Sequence, residues 1–162
     1  MKRCMIITLC ILMLCGCSSA PEYQKPVEFY YLASETSYTC DSSAIVSELR
    51  EGSDMGTLEE TMSAYLAGPS DPELITPFPD GLRLVRIYQD QNTVYITVSQ
   101  EISDLTNLDL TFACTCIALT CLDITNAVQV CIDAENGLLD GQKNVILDKE
   151  SLQLTDYLAK GE

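Results

Sequence analysis

Apolar and polar positions follow two rhythms along this chain, and the change from one to the other separates strands from helices. Val27–Leu32 (VEFYYL) is aromatic and β-rich and predicts a first strand. A polar turn from Ser34 to Ser37 follows, and the mixed segment Tyr38–Leu49 reads as a second strand ending near Leu49. The period then changes. Leu58, Met62, Tyr65 and Leu66 fall at i, i+4, i+7 and i+8, one apolar stripe of a helix. Thr57-x-x-Glu60 is a capping box, in which the hydroxyl takes one orphan N–H and the carboxylate another. Gly68 can adopt the left-handed conformation past the last turn and Pro69 forbids continuation, so the helix is expected over Leu58–Ala67.

Ser70 to Gly81 carries three prolines and reads as a structured loop. Leu82–Tyr88 and Thr93–Val98 are expected as an antiparallel hairpin turning at Gln89–Asn92, with Val94, Ile96 and Val98 on the core face. Thr106-x-x-Asp109 is a capping signal for a second helix, on which Leu108, Phe112, Leu119 and Leu122 share a face while Ala113, Ile117 and three cysteines fill much of the rest. A helix apolar nearly all round is buried or meets a partner. Cysteine, threonine and isoleucine also suit a strand, which keeps that alternative open, with the helix preferred. Ala127–Asp133 alternates as a strand with Val128, Val130 and Ile132 inward, and Asn136-Gly137 turns the chain. Asn144–Leu147 reads as a short edge strand and Glu150–Ala159 as a weak amphipathic helix.

The amino terminus follows another logic. Lys2 and Arg3 precede an apolar run from Met5 to Leu14, and Leu14-Cys15-Gly16-Cys17 closes it, the order of a secretory signal and its cut site. The run is about half of the ~20 residues a membrane span needs. Leu-x-Gly-Cys resembles a bacterial lipobox, which implies cleavage between Gly16 and Cys17 and acylation of Cys17. Residues 1–16 are then a signal peptide and 17–26 a tether of at most ~3.5 Å per residue. The expected location is the extracytoplasmic face of the cell membrane, with the lipid bilayer bound through Cys17.

Charge narrows the partners. The mature chain keeps 7 Lys and Arg against 24 Asp and Glu, so it repels nucleic acid and other polyanions. The lipid must do the anchoring, and two acyl chains at ~0.8 kcal/mol per buried CH2 suffice. The chain has no histidine, which removes the commonest general base, the Ser-His and Cys-His pairs and histidine-containing zinc sites. Cys40, Cys114, Cys116, Cys121 and Cys131 remain beyond the signal and Cys17; an odd number cannot all pair within one chain. The spacing Cys114-x-Cys116 is not that of a zinc site, so the cysteines read as small buried hydrophobes. No D-x-D-x-D-G calcium loop is present, and Asp80, Asp90 and Asp133 read as solvated turn carboxylates. Phe29, Tyr30 and Tyr31 read as core and strand face. No metal, cofactor or catalytic residue is expected.

The order of elements carries short words: Tyr65-Leu66-Ala67-Gly68-Pro69, then Pro79-Asp80-Gly81, the strand Val94–Val98, and Val128-Gln129-Val130 before Asn136-Gly137. Together they resemble the GerMN domain of sporulation and germination lipoproteins. The resemblance covers roughly 27–137, with 138–162 as a carboxy-terminal extension. It implies an α+β (α/β) sandwich, two helices packed on one face of a small mixed β-sheet. It also implies a non-catalytic role in envelope assembly, since the family is similar to ring-building domains of secretion-type assemblies. Tyr65, Leu66, Gly68, Pro69, Pro79 and Gly81 carry that signature and are expected to shape the backbone. Two functions follow as expectations. One is an interaction module docking another envelope protein, or a second copy, through the second helix or a sheet edge. The other is an accessory binder of a small ligand, peptide or cell-wall fragment, with the loop from Ser70 to Gly81 as its mouth.

Overall fold

The computed structural model describes residues 26–34, 44–51, 56–137, 139 and 141–152. The expected signal peptide, Cys17, the expected tether as far as residue 25, Cys40 and most of the expected carboxy-terminal helix lie outside the described residues.

Two strands open the domain, β1 (Val27–Ala33) and β2 (Ile45–Arg50), paired antiparallel from Val27↔Arg50 to Leu32↔Ile45. The first helix, α1 (Leu58–Leu66), starts as its capping box dictates. Thr57 Oγ1 accepts from the Glu60 amide at 3.3 Å, and Glu60 Oε2 accepts from the Thr57 amide at 2.7 Å. Gly56 makes room for this, because a Cβ there would collide with the Glu60 carboxylate. At the other end Gly68 takes φ +108° and its amide donates to the Tyr65 carbonyl.

The loop beyond holds one element that its prolines hid. Leu74–Ile75 forms a two-residue strand, β3, on the far side of β1. The hairpin follows as β4 (Leu84–Asp90) and β5 (Thr93–Val98). Its turn is tighter than the expected Gln89–Asn92: Asp90 pairs with Thr93, and Gln91 closes the bend at φ +51°. The strand β4 accordingly begins and ends later than the pattern predicts, and Leu82 is buried ahead of it. A 3-10 helix over Gln100–Asp104 leads to α2 (Asn107–Ile124), then β6 (Gln129–Ala134) and β7 (Val145–Asp148). Thr106 stands at the N-cap of α2, but its side chain makes no capping hydrogen bond.

The class is α+β, with the strands divided between two sheets. β2-β1-β3 form an antiparallel sheet, and β4-β5-β6-β7 a second sheet in which only β5 and β6 run parallel. The reason α2 is apolar around most of its circumference lies in its position. It packs against β1 of one sheet and against β6 and β7 of the other. Leu110, Ala113, Cys114, Ile117, Ala118 and Cys121 are all buried, whereas Leu108 and Leu119 of the expected face are only half-buried. The helix is apolar enough to cross a membrane by composition, yet 11 of its 18 residues are buried within the domain. Val94, Ile96 and Val98 face the same core, as do Val130 and Ile132. Val128, expected inward with them, is 48% exposed. It precedes β6, and its amide bonds the Asn92 carbonyl at the sheet's end.

Candidate interaction surfaces

The interior is organised around Tyr65. Its ring lies 5.2 Å from Phe29, Tyr31 and Phe78, edge-on to Phe29 and Phe78. Its hydroxyl donates to the Tyr30 carbonyl at 2.9 Å, and its own carbonyl accepts from the Tyr31 hydroxyl at 2.9 Å. Burial holds the phenols of Tyr65 and Tyr31 far above their ordinary range, and Tyr30 is raised by burial and by its bond to Glu28. The thiols of Cys114, Cys116 and Cys121 are pushed up to about 12 by burial alone. These groups stay neutral at physiological pH, which leaves the thiols without the thiolate that makes cysteine a nucleophile.

The remaining signature residues build two turns. Leu66 is buried, Pro69 is half-buried, and a side chain at Gly68 or Gly81 would meet open space, so the positive φ of each glycine is what the turns require. Pro79 supplies the carbonyl that accepts from the Leu82 amide at 3.2 Å, closing the turn that contains Gly81. The first turn is held from outside by β2. Arg50 donates to the Gly68 carbonyl at 3.3 Å while its guanidinium lies over the Phe29 ring, and Glu48 accepts from the Ser70 amide at 3.1 Å.

The loop from Ser70 to Gly81, expected as a mouth, is held by local hydrogen bonds and by β1. Asp71 accepts from the Glu73 amide, Thr76 from the Phe78 amide, and β3 stitches its centre to β1. A cleft of about 230 Å³ lies elsewhere, between α2 and β7, lined by Leu110, Thr111, Cys114, Thr115, Val145 and Leu147. Its only polar side chains besides the thiol are two threonines. A small-molecule site usually adds convergent polar groups to such an apolar lining.

More surface is available on the sheets. On the outer face of the four-stranded sheet, Tyr88 and Tyr95 oppose each other across the hairpin and stack at 5.0 Å and 12°, and Arg86 lies 5.4 Å from the Tyr88 ring. On the three-stranded sheet, Ile45, Leu32 and Ile75 form one cross-strand row, and Leu49, four residues further along β2, is 67% exposed. The stacked tyrosines escape the sequence pattern because their pairing depends on the length of the turn. The expected four-residue turn sets Tyr88 opposite Thr93, and the observed two-residue turn sets it opposite Tyr95.

The family model described as Germane, sporulation and spore germination, matches residues 28–139. No curated protein matches the chain. Two solved structures resemble it. The tandem GerMN domains of the sporulation protein GerM from Bacillus subtilis share 19% identity at a TM-score of 0.46, covering 68% of this chain and 38% of that one. A candidate lipoprotein from Clostridium perfringens shares 18% identity at a TM-score of 0.47, covering 82% of this chain and 93% of that one. The chain thus spans well under half of the Bacillus subtilis tandem structure.

Proposed function

Because this chain belongs to the Germane family of sporulation and spore germination domains, we propose that it is a lipid-anchored, extracytoplasmic assembly module that docks another envelope protein and performs no catalysis. The observation that carries the reading is the division of labour among its side chains. The ionisable groups of the core are held neutral by burial and committed to packing or hydrogen bonds. The large apolar groups left at the surface of the described residues lie on or beside the sheets: Leu49, Ile75, Val85, Tyr88, Val128 and Ile146. The second helix is spent on the core, so docking falls to the sheets.

Anchoring rests on Leu14-Cys15-Gly16-Cys17. Cleavage after Gly16 and acylation of Cys17 would hold the domain to the outer face of the membrane through a ten-residue tether. The strongly acidic surface fits an anchor made of lipid and not of protein charge.

Chemical crosslinking in intact cells, followed by mass spectrometry, tests the reading. A defined envelope protein should be recovered with the native chain and lost with Cys17→Ala, which releases the domain. Recovery of lipid neighbours alone would overturn the docking role and turn attention to the cleft between α2 and β7.

A further inference from the structure

We infer that the free edge of β2 is the docking site, and that it accepts an extended, Lys- or Arg-rich strand of the partner by β-augmentation. The inference rests on the docking role proposed above and adds to it a place and a chemistry.

The place follows from hydrogen-bond directions. The amides of Glu28 and Tyr30 on β1 point away from β2, toward α2, where Asp123 and Thr120 accept them at 2.8 and 3.0 Å. Their cross-strand partners on β2 are Leu49 and Ser47. In an antiparallel ladder these are the non-hydrogen-bonded pairs, so the N–H and C=O groups of Ser47 and Leu49 point outward. No described residue pairs with them. The other edges are less open. β3 has two residues, β4 is bulged between Leu84 and Arg86 and is packed by α1, and β7 has four residues. β2 presents six residues with no bulge and no proline, the row of unpaired groups onto which another strand adds. Leu49, two-thirds exposed on the outer face, gives the added strand an apolar side chain to cover.

The chemistry follows from charge. Among the described residues from Pro26 to Gly81, Arg50 is the single cation against eight carboxylates. Arg50 is already engaged by Glu48, the Gly68 carbonyl and the Phe29 ring. The other described cations, Arg83, Arg86, Lys143 and Lys149, all come from the half of the chain that builds the second sheet. Among the described residues, the strands of the three-stranded sheet and the positions flanking them carry Glu28, Glu48, Glu51 and Glu73 against Arg50 alone, so this edge is net negative. Two such edges repel each other, and a cationic strand is drawn to them.

The test uses the full chain in detergent micelles with two synthetic octapeptides, one alternating Lys and Val, the other Glu and Val. Amide hydrogen exchange should slow at Ser47 and Leu49 with the Lys-Val peptide alone, and the protection should fall as salt rises. Ser47→Pro removes an outward N–H that β1 does not use, so it should abolish the protection while leaving the melting temperature unchanged. Equal protection by both peptides, protection elsewhere, or protection that survives Ser47→Pro would overturn the assignment. Self-association of the chain alone that Ser47→Pro reverses would replace the cationic partner by a second copy. A crosslinked envelope protein that Ser47→Pro still recovers from cells would remove this edge and leave the docking role standing.

Discussion

The Tyr30 amide on β1 donates to Oγ1 of Thr120 on α2 across 3.0 Å, joining a strand edge to a helix side chain 90 residues later in the chain. Three residues on, Asp123 does the same for Glu28. The helix takes the place of a neighbouring strand along the first half of β1, and β3 takes over at Leu32. Thr120 is fully buried and also lies in hydrogen-bonding reach of the Tyr65 hydroxyl, which bonds the Tyr30 carbonyl. One hydroxyl thus helps lock α1, β1 and α2 together.

Thr120→Val keeps the shape and removes the acceptor, leaving the Tyr30 amide without a partner. The expected loss is about 1–3 kcal/mol of stability. Thr120→Ser keeps the oxygen and should cost clearly less. Urea unfolding of both variants checks the order. A Thr120→Val loss no larger than that of Thr120→Ser would count against the hydrogen bond to the Tyr30 amide.

The capping box makes the start of α1 sensitive to acid. The Glu60 carboxylate is held below its ordinary range by the Thr57 amide first and the Thr57 hydroxyl second. A depressed carboxylate stabilises the fold fully above its unfolded value of ~4.3, and the contribution is lost as pH falls through the lower folded value. Glu60→Gln should flatten this acid limb of the stability profile, with little change in the shape of the profile at neutral pH. Thr57→Ala should in addition cost about 0.5–2 kcal/mol at neutral pH. Thermal melts between pH 3 and pH 7 separate the two.

The buried thiols predict the opposite end of the scale. Cys114, Cys116 and Cys121, raised to about 12 by burial, should resist iodoacetamide at pH 8 in the folded protein and react at once in denaturant. The unfolded chain ionises these groups from ~8.5, so their contribution to stability is complete below that pH and is lost as pH rises toward the folded value. Mass spectrometry after a timed pulse of reagent counts the labels. Rapid labelling of any of the three in the native state would contradict its burial.

Local chemistry made much of this fold legible. Thr57 and Glu60 could only cap a helix, Gly68-Pro69 could only end one, and the alternation of Val94, Ile96 and Val98 marked a strand with one face on a core. Those signals act within a few residues, where sterics and hydrogen bonds leave little choice. The signature from Tyr65 to Pro69 was legible as a resemblance for the same reason. Tertiary structure decided what depends on distant partners. A loop with three prolines acquired a strand at Leu74–Ile75 because β1 had an edge to fill. Val128 stayed outside the core because β6 begins one residue beyond it. The hairpin turned at Gln91, and that shift alone set Tyr88 against Tyr95. The apolar circumference of α2 was evident from composition. That two sheets bury it, and that Thr120 and Asp123 serve β1 as a missing strand would, was not, because periodicity counts apolar positions along one element and is blind to which other element will face them.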